Sequence, residues 1–249
     1  MKTFGLLGHR LGYSFSRNFF TEKFSQENLT DCEYINFELD SIDKFPAIFK
    51  QNRQIYGLNC TIPYKQQIIS YLDEVDAEAA AVGAVNTIKI IRRPDRVLLK
   101  GFNTDIYGFE HSLRPLLKEH HKRALILGTG GAARAVKYIL TRLKIGYLLV
   151  TTKQLPAEGE IPYEYINEEI LRNYPVIINT TPLGTFPKVE TCPDLPYHDL
   201  TENHLLYDLV YNPEETLFLK KGKERGATVK NGLEMLHLQA LKAWEIWNS

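Results

Sequence analysis

The sequence predicts an α/β fold in two domains, and three observations support this. Short runs rich in β-branched and aromatic residues alternate with longer stretches of mixed polar and apolar residues that suit helices. A second series of such runs begins after residues 106–123. A glycine-rich turn directly follows the first strand of that second series. Because strands that alternate with helices usually pair in parallel, we expect mostly parallel sheets.

The candidate strands fall into two series along the chain. They span residues 3–7, 34–39, 55–59 and 85–91, and then 124–127, 147–151, 176–179 and 205–210. We place the domain boundary near residue 105, so that the first domain covers residues 1–105 and the second covers residues 106–232. Near the C-terminus, apolar residues recur at the spacing of a buried helical stripe, at Leu233, Leu236, Ala240, Trp244 and Trp247. This spacing predicts a final helix, residues 233–249, that packs back on the first domain.

The composition excludes several classes of protein. Hydrophobic residues make up 44% of the chain, enough for a large core, and Lys plus Arg equals Asp plus Glu at 30 each, so no charge excess favours nucleic acid or an anionic membrane. The chain has no apolar stretch long enough for a membrane span or a secretory signal. Cys32, Cys60 and Cys192 are far apart and lack metal-ligand spacing, so we expect free thiols, no metal site and a cytoplasmic location.

The turn at residues 128–133, Gly-Thr-Gly-Gly-Ala-Ala, predicts a dinucleotide-binding site. It lies between the candidate strand 124–127 and a segment with helical spacing. In this G-x-G-x-x-A pattern, Gly128 permits a tight turn, Gly130 lets the backbone approach a pyrophosphate, and Ala133 lets the helix pack closely on the strand. A tight turn without a ligand is the alternative, but the strand and helix on either side favour a Rossmann-like domain.

The end of the next strand indicates which dinucleotide is bound. It continues into Thr151, Thr152 and Lys153, with no carboxylate where NAD-binding proteins usually place one for the ribose 2′-hydroxyl. The lysine and the two hydroxyls can bind a 2′-phosphate, so we predict NADP. Alternatively, Lys153 is only a solvated surface residue.

In the first half of the chain, polar residues collect around the ends of the candidate strands. Singly, such residues most often cap turns or carry no role, so only their joint arrangement predicts a binding site. They are Ser14, Ser16, Asn59, Thr61, Lys65, Asn86, Thr87, Asn103, Thr104 and Asp105.

Through these segments the chain resembles the shikimate dehydrogenase family along nearly its whole length. The matching segments, in the family's order and spacing, are residues 12–16, 59–65, 83–87, 101–105, 128–133, 179–184, 207–213 and 231–236, followed by Gln239. The resemblance implies a substrate-binding and catalytic domain joined to an NADP-binding domain. It also implies NADPH-dependent, reversible reduction of 3-dehydroshikimate to shikimate, in the biosynthesis of chorismate and the aromatic amino acids.

The resemblance further implies residue roles. Lys65 and Asp105 would form the catalytic pair. Substrate ligands would be Ser14, Ser16, Asn59, Thr61, Asn86, Asp105, Tyr211 and Gln239. Cofactor ligands would be Gly128, Thr129, Gly130, Gly131, Ala132, Thr151, Thr152, Lys153, Thr180, Thr181, Pro182, Leu209, Gly232 and Met235. We expect a small-molecule substrate as the partner, with neither nucleic acid nor membrane, and a monomer or homodimer.

These roles suit the chemistry. Two serine hydroxyls can orient a carboxylate without an arginine. Amide and carboxylate groups distinguish a hydroxylated ring from analogues that would leave buried groups unpaired. A lysine ammonium can stabilise the charge that develops on a ketone oxygen during hydride addition and can then deliver the proton.

The chain departs from the family pattern at a few positions. Tyr13 and Arg17 stand where the family commonly has His and Pro. Residues 151–153 replace the family's usual Asn-Arg-Thr, and the lost arginine would clamp the 2′-phosphate, so we expect a weaker NADP preference.

Three alternatives stay open. A relative that oxidises quinate or uses NAD would carry similar motifs. A non-catalytic sensor is opposed by the retained Lys65 and Asp105, and an unrelated Rossmann enzyme is opposed by the motifs of the first half.

Overall fold

The computed structural model describes residues 1–12, 15–52, 54–153 and 155–249. The chain divides into two compact units: unit 1 comprises Met1–Asp105 with Gln239–Ser249, and unit 2 comprises Ile106–Leu238. Unit 1 contains β1 (Lys2–Gly8), α1 (Phe15–Gln26), β2 (Cys32–Glu38), α2 (Ala47–Gln51), β3 (Ile55–Cys60), β4 (Glu74–Val75), α3 (Ala77–Val82), β5 (Thr87–Arg92) and β6 (Val97–Phe102). Helix α4 (Thr104–Leu113) begins in unit 1 and ends in unit 2.

Unit 2 contains β7 (Arg123–Leu127), α5 (Gly131–Arg142), β8 (Gly146–Thr151), β9 (Glu160–Pro162), α6 (Glu168–Asn173), β10 (Val176–Asn179), β11 (Leu205–Asp208), α7 (Leu217–Lys223) and β12 (Thr228–Lys230). Helix α8 (Leu233–Asn248) begins in unit 2 and ends in unit 1, so its first turn groups with unit 2. The predicted α/β class is confirmed. Among the described residues, no helix combines the length and apolarity that a membrane span requires.

The sheet of unit 1 has the strand order β2-β1-β3-β5-β6-β4. Strand β1 pairs in parallel with β2 and β3, and β4 pairs in parallel with β6, whereas β5 is antiparallel to both of its neighbours. Strand β6, which forms a hairpin with β5, was not predicted from the sequence. The turn between them is closed by the Arg93 amide, which donates to the Arg96 carbonyl at 2.8 Å. A Pro-Asp pair between two apolar runs was the available signal for this turn.

Side chains of unit 1 pack on both faces of its sheet, because successive strand residues point to opposite sides. Leu7 of β1 joins a core with Phe37, Leu58 and Ile88, whereas Phe4 joins an aromatic cluster with Phe20.

The end of α8 completes this aromatic cluster. The Trp247 ring stacks on Phe4 with centroids 5.1 Å apart, and its Nε1 donates to the Ile88 carbonyl at 3.1 Å. Gly57 lies under the ring, where a Cβ would collide with it. The predicted final helix is confirmed, but the expected burial of Leu233 is wrong: it is exposed, and Ala243 is buried in the helix instead.

The sheet of unit 2 is parallel throughout its described strands, in the order β12-β11-β10-β7-β8-β9. Counted along the chain from β7, this is the Rossmann order, in which strand order reverses beside the first strand. Leu125, Ile126 and Ile177 are fully buried, as expected for strands covered on both faces. The Rossmann-like prediction is confirmed. The edge strands β9 and β12 were missed, because three-residue strands carry too short a pattern.

Candidate functional site

A lysine and an aspartate form an ion pair in unit 1. The Lys65 ammonium donates to Asp105 Oδ2 at 2.6 Å, with side chains 29% and 14% exposed. Other described residues provide no hydrogen bond to Oδ1 of the same carboxylate. The Lys65 ammonium therefore keeps N–H groups, and the Asp105 carboxylate keeps Oδ1, for hydrogen bonds with a ligand.

Backbone contacts hold this pair in place. The Lys65 carbonyl accepts from the Val85 amide at 2.7 Å. The neighbouring Tyr64 is buried, and its hydroxyl donates to the Leu39 carbonyl at 2.6 Å. Asp105 lies in the first turn of α4, where the helix dipole favours a negative charge. Burial raises the pKa of the nearby Cys60 thiol to about 12, so a neutral thiol lies next to the pair.

A buried amide, Asn86, connects the strand ends beside this pair. Its Oδ1 accepts from the Thr104 amide at 2.7 Å and from the hydroxyls of Thr87 and Thr104 at 3.1 and 3.2 Å. Its Nδ2 donates to Gln239 Oε1 at 3.3 Å. Asn86 is only 4% exposed, and one of its two N–H groups remains for a ligand. The structure therefore brings Asn86, Gln239 and the N-terminus of α4 together.

The side chain of Asn59 is engaged in three hydrogen bonds within the protein, which the sequence did not predict. Its Nδ2 donates to the Asn86 carbonyl at 3.3 Å and to the Thr87 hydroxyl at 3.2 Å. Its Oδ1 accepts from the Tyr34 hydroxyl at 2.8 Å. With both N–H groups engaged, Asn59 can offer a ligand only its oxygen.

Tyr34 is a site residue that the sequence analysis missed. Burial raises the pKa of its phenol far above the ordinary value, and a hydrogen bond with Ser16 opposes this rise. The phenol proton goes to Asn59, so the Ser16 hydroxyl must donate to Tyr34. Tyr34 thus connects two predicted substrate ligands, and its position on β2 gave no motif signal.

The remaining predicted substrate residues fall into three groups. Thr61 follows β3, and its amide donates to the Leu7 carbonyl at 2.9 Å, with a partly exposed side chain. Ser14, like Tyr13, lies outside the described residues. Tyr211 belongs to unit 2, where it follows β11 and is partly buried.

In unit 2, the glycine turn has the predicted geometry. Gly128 has φ +101°, and a Cβ there would lie 3.0 Å from Thr180 Oγ1 and from Thr181 Cγ2. A Cβ at Gly130 or Gly131 would meet no heavy atom within 4 Å, so space is open above the backbone. Ala133, at 2% exposure, packs α5 against the sheet. The turn therefore exposes the N-terminus of a 12-residue helix to a ligand.

A cavity of about 470 Å³ adjoins this turn. Its lining includes the predicted cofactor residues Gly128, Thr129, Thr151, Thr152 and Thr181, together with Tyr163, Cys192 and Asp194, which were not predicted. Thr151 is buried, and its hydroxyl accepts from the Lys153 amide at 3.2 Å. The open glycine turn and the cavity together fit a dinucleotide.

A buried carboxylate supports the neighbouring loop at the end of β10. Asp208 accepts from Asn179 Nδ2 at 2.9 Å, from the Val210 amide at 3.0 Å and from the Thr216 hydroxyl at 2.6 Å. Asn179 Oδ1 in turn accepts from the Thr181 amide at 3.0 Å. Burial raises the pKa of Asp208 to about 6, and the three donors oppose the rise. This aspartate therefore positions the predicted cofactor residues of the loop.

The other predicted cofactor residues lie around the same unit. Thr180 donates through its hydroxyl to the Leu127 carbonyl at 2.7 Å, which ties its loop to β7. Gly232 is packed against the Leu209 carbonyl, where a Cβ would collide. Lys153 and Pro182 are exposed, as are Gly131 and Ala132, and Met235 is partly buried near the start of α8. Within the described ranges, no cluster of three or more His, Cys, Asp or Glu residues could hold a metal ion.

The chain is similar to shikimate dehydrogenases along nearly its whole length. A family model described as the shikimate dehydrogenase substrate binding domain matches residues 6–88. The NADP(+) shikimate dehydrogenase of Carboxydothermus hydrogenoformans is 37% identical, with 99% of this chain and 91% of that protein covered. The crystal structure of shikimate 5-dehydrogenase from Thermus thermophilus, in complex with NADP(H) and shikimate, is 30% identical with a TM-score of 0.82. The match covers 99% of this chain and 93% of that one.

Fold and site define a class: an α/β protein in which a Rossmann unit with an open glycine turn accompanies a second α/β unit with a lysine–aspartate pair. The relatives then make the assignment specific. The chain belongs to the shikimate dehydrogenase family.

Proposed function

We propose that this protein is an NADP-dependent shikimate dehydrogenase that reduces 3-dehydroshikimate reversibly to shikimate. The observation that supports this most directly is the Lys65–Asp105 pair, 2.6 Å apart and next to the buried Asn86 network. These residues lie in or close to the segment that matches the family's substrate binding domain. The relatives named above are NADP-dependent shikimate dehydrogenases.

In this mechanism Lys65 works on the ketone oxygen. Its ammonium stabilises the negative charge that grows on that oxygen and then donates the proton that completes the alcohol. When NADPH is bound, its reduced nicotinamide would supply the hydride. In the oxidation direction, the neutral Lys65 amine removes the hydroxyl proton, and the carbon-bound hydride would pass to the oxidised nicotinamide. Asp105 fixes the lysine through Oδ2, and its Oδ1 accepts a hydrogen bond from a ring hydroxyl.

The surrounding polar groups orient the substrate ring. The hydroxyl groups of the substrate ring can both donate and accept hydrogen bonds. They are met by the remaining N–H of Asn86, the amide of Gln239 and the hydroxyl of Thr61. Ser14 and Ser16 bind the carboxylate, and Tyr34 positions Ser16 and Asn59. Tyr211 contributes a further hydroxyl to the substrate.

Unit 2 holds the cofactor. The amides of residues 128–132 at the start of α5 bind the pyrophosphate, since the open space over Gly130 and Gly131 lets phosphate oxygens approach the backbone. The other predicted cofactor residues arrange the nucleoside parts: Thr151, Thr152 and Lys153 after β8, Thr180, Thr181 and Pro182 after β10, and Leu209, Gly232 and Met235. The protein works in the cytoplasm on a small-molecule substrate, as a monomer or homodimer.

Absorbance at the reduced-nicotinamide band tests this proposal. Purified protein is mixed with shikimate and NADP, with quinate and NAD as parallel arms and Lys65→Ala as the matched variant. The proposal expects a rapid rise with shikimate and NADP that Lys65→Ala abolishes. If the folded protein shows no turnover in any arm, the dehydrogenase assignment is refuted. Faster turnover of quinate than of shikimate would refute the assignment of shikimate as the substrate.

A further inference from the structure

We propose that Glu160 weakens the preference of the nucleotide site for NADP over NAD, because it competes with a 2′-phosphate for the ammonium of Lys153. This inference rests on the proposed function. Every contact that supports it lies within unit 2.

The two side chains form a close ion pair. Lys153 Nζ lies 3.1 Å from Glu160 Oε1 and 3.3 Å from Oε2. The Ala157 amide donates to Oε2 at 3.2 Å, and the glutamate side chain is only 8% exposed, against 53% for the lysine. The hydrogen bond from Ala157, with that from Lys153, lowers the pKa of Glu160, so the carboxylate is ionised near neutral pH. The carboxylate is therefore a fixed group, and the lysine is its mobile partner.

The position of this pair connects it to the cofactor. In a Rossmann sheet, the group after the second strand of the unit meets the ribose 2′ position. That strand is β8, which ends at Thr151, and Lys153 follows two residues later. Glu160 comes from the adjacent strand β9, where it pairs with Leu149 of β8. A carboxylate thus reaches the 2′ region from β9 instead of from the end of β8.

The cavity beside the glycine turn also carries a negative charge. Asp194 lines the adjoining cavity, and no Lys or Arg among the described residues does so. Lys137 also acts electrostatically on Glu160, but more weakly than Lys153 and Ala157. A 2′-phosphate must therefore displace Glu160 from Lys153 and then remain near the negative charge of Glu160. A 2′-hydroxyl, which is uncharged, needs no displacement and meets no repulsion.

Calorimetric titration with NADP⁺ and NAD⁺ separately tests this. The variants are Glu160→Gln, which keeps an acceptor for Ala157 but no charge, and Glu158→Gln, an exposed neighbour as the matched control. We expect Glu160→Gln to tighten NADP⁺ binding roughly three- to tenfold and to leave NAD⁺ within about twofold. Glu158→Gln should change neither. Adding Lys153→Met to Glu160→Gln should remove the gain, which identifies the lysine as the group released.

The outcomes separate this inference from the function on which it rests. If wild-type protein binds a nucleotide and Glu160→Gln leaves the NADP⁺ to NAD⁺ affinity ratio unchanged, the role of Glu160 is refuted and the dehydrogenase proposal stands. If folded wild-type protein binds neither nucleotide, both are refuted. Equal melting temperatures of the wild type and Glu160→Gln establish that the variant is folded.

Discussion

Replacing Asp208 with Asn is expected to remove a pH dependence from the stability of unit 2. The carboxylate is fully buried, and three donors surround it, from Asn179, Val210 and Thr216. Asparagine fits the same space. Its oxygen can accept from Asn179 and Val210, and its NH₂ can donate to the Thr216 hydroxyl, which accepts as readily as it donates.

The magnitude follows from the pKa of the carboxyl group. Burial raises it from 3.8 to about 6 in the folded protein. At about 1.36 kcal/mol per pKa unit, this difference corresponds to about 3 kcal/mol. Because the folded state holds the proton more tightly, this contribution to stability is complete below about pH 3.8 and is lost as the pH rises through about 6. The free energy of unfolding should therefore fall, relative to Asp208→Asn, by about 2 kcal/mol between pH 4 and pH 7, because at pH 4 much of the unfolded-state carboxyl is already ionised.

Urea unfolding at several pH values measures this difference. Circular dichroism is the appropriate signal, since Trp244 and Trp247 both belong to unit 1 and would not report on unit 2. Glu164→Gln, an exposed change in unit 2, serves as the control and should show the wild-type pH dependence. A wild-type minus Asp208→Asn difference that stays constant within about 1 kcal/mol would refute the reasoning from burial.

Three further predictions concern catalysis and packing. Lys65→Met should lower kcat by about 10²- to 10⁴-fold and leave the Kd for NADP⁺ unchanged, because it removes the group that stabilises the ketone oxygen and donates its proton, and no ligand of the cofactor; a loss below tenfold in steady-state assays would contradict this. Gly57→Ala should lower the free energy of unfolding by about 1–3 kcal/mol, because the new Cβ collides with Trp247. Gly12→Ala, where a Cβ meets open space, should leave the free energy of unfolding nearly unchanged, and equal effects of the two variants in denaturant unfolding would contradict this. Gly128→Ala should lower the melting temperature, because φ +101° strains an L-residue; an unchanged temperature would show that the turn relaxes.

The sequence was most informative where a local pattern sets the backbone. The glycine turn at Gly128 was predicted because strand, tight turn and helix each leave a signal within a few residues. Strand β10 was predicted at its observed bounds, since it is a short apolar run ending in a polar residue. Such features depend on neighbours along the chain, and therefore they can be found from one sequence.

The features that the sequence did not predict depend on residues distant along the chain. Tyr34 connects Ser16 to Asn59 only because β2 and β3 both pair with β1. Asp208 ends a strand like many turn residues, and its burial and its hydrogen bond with Asn179 arise only when β11 lies beside β10. Glu160 is an exception, since it lies only 7 residues from Lys153. It was not predicted because β9, the edge strand that positions it, is too short to predict.

The order of the chain through the two units has a consequence for protein synthesis. Unit 2 is one uninterrupted segment, so all of it has been translated by residue 238. Unit 1 begins first but finishes last, since Gln239–Ser249 belongs to it. Until Trp247 emerges, the aromatic faces of Phe4 and Phe20 lack the ring that covers them. The core of unit 1 is therefore completed only after all of unit 2 has been translated.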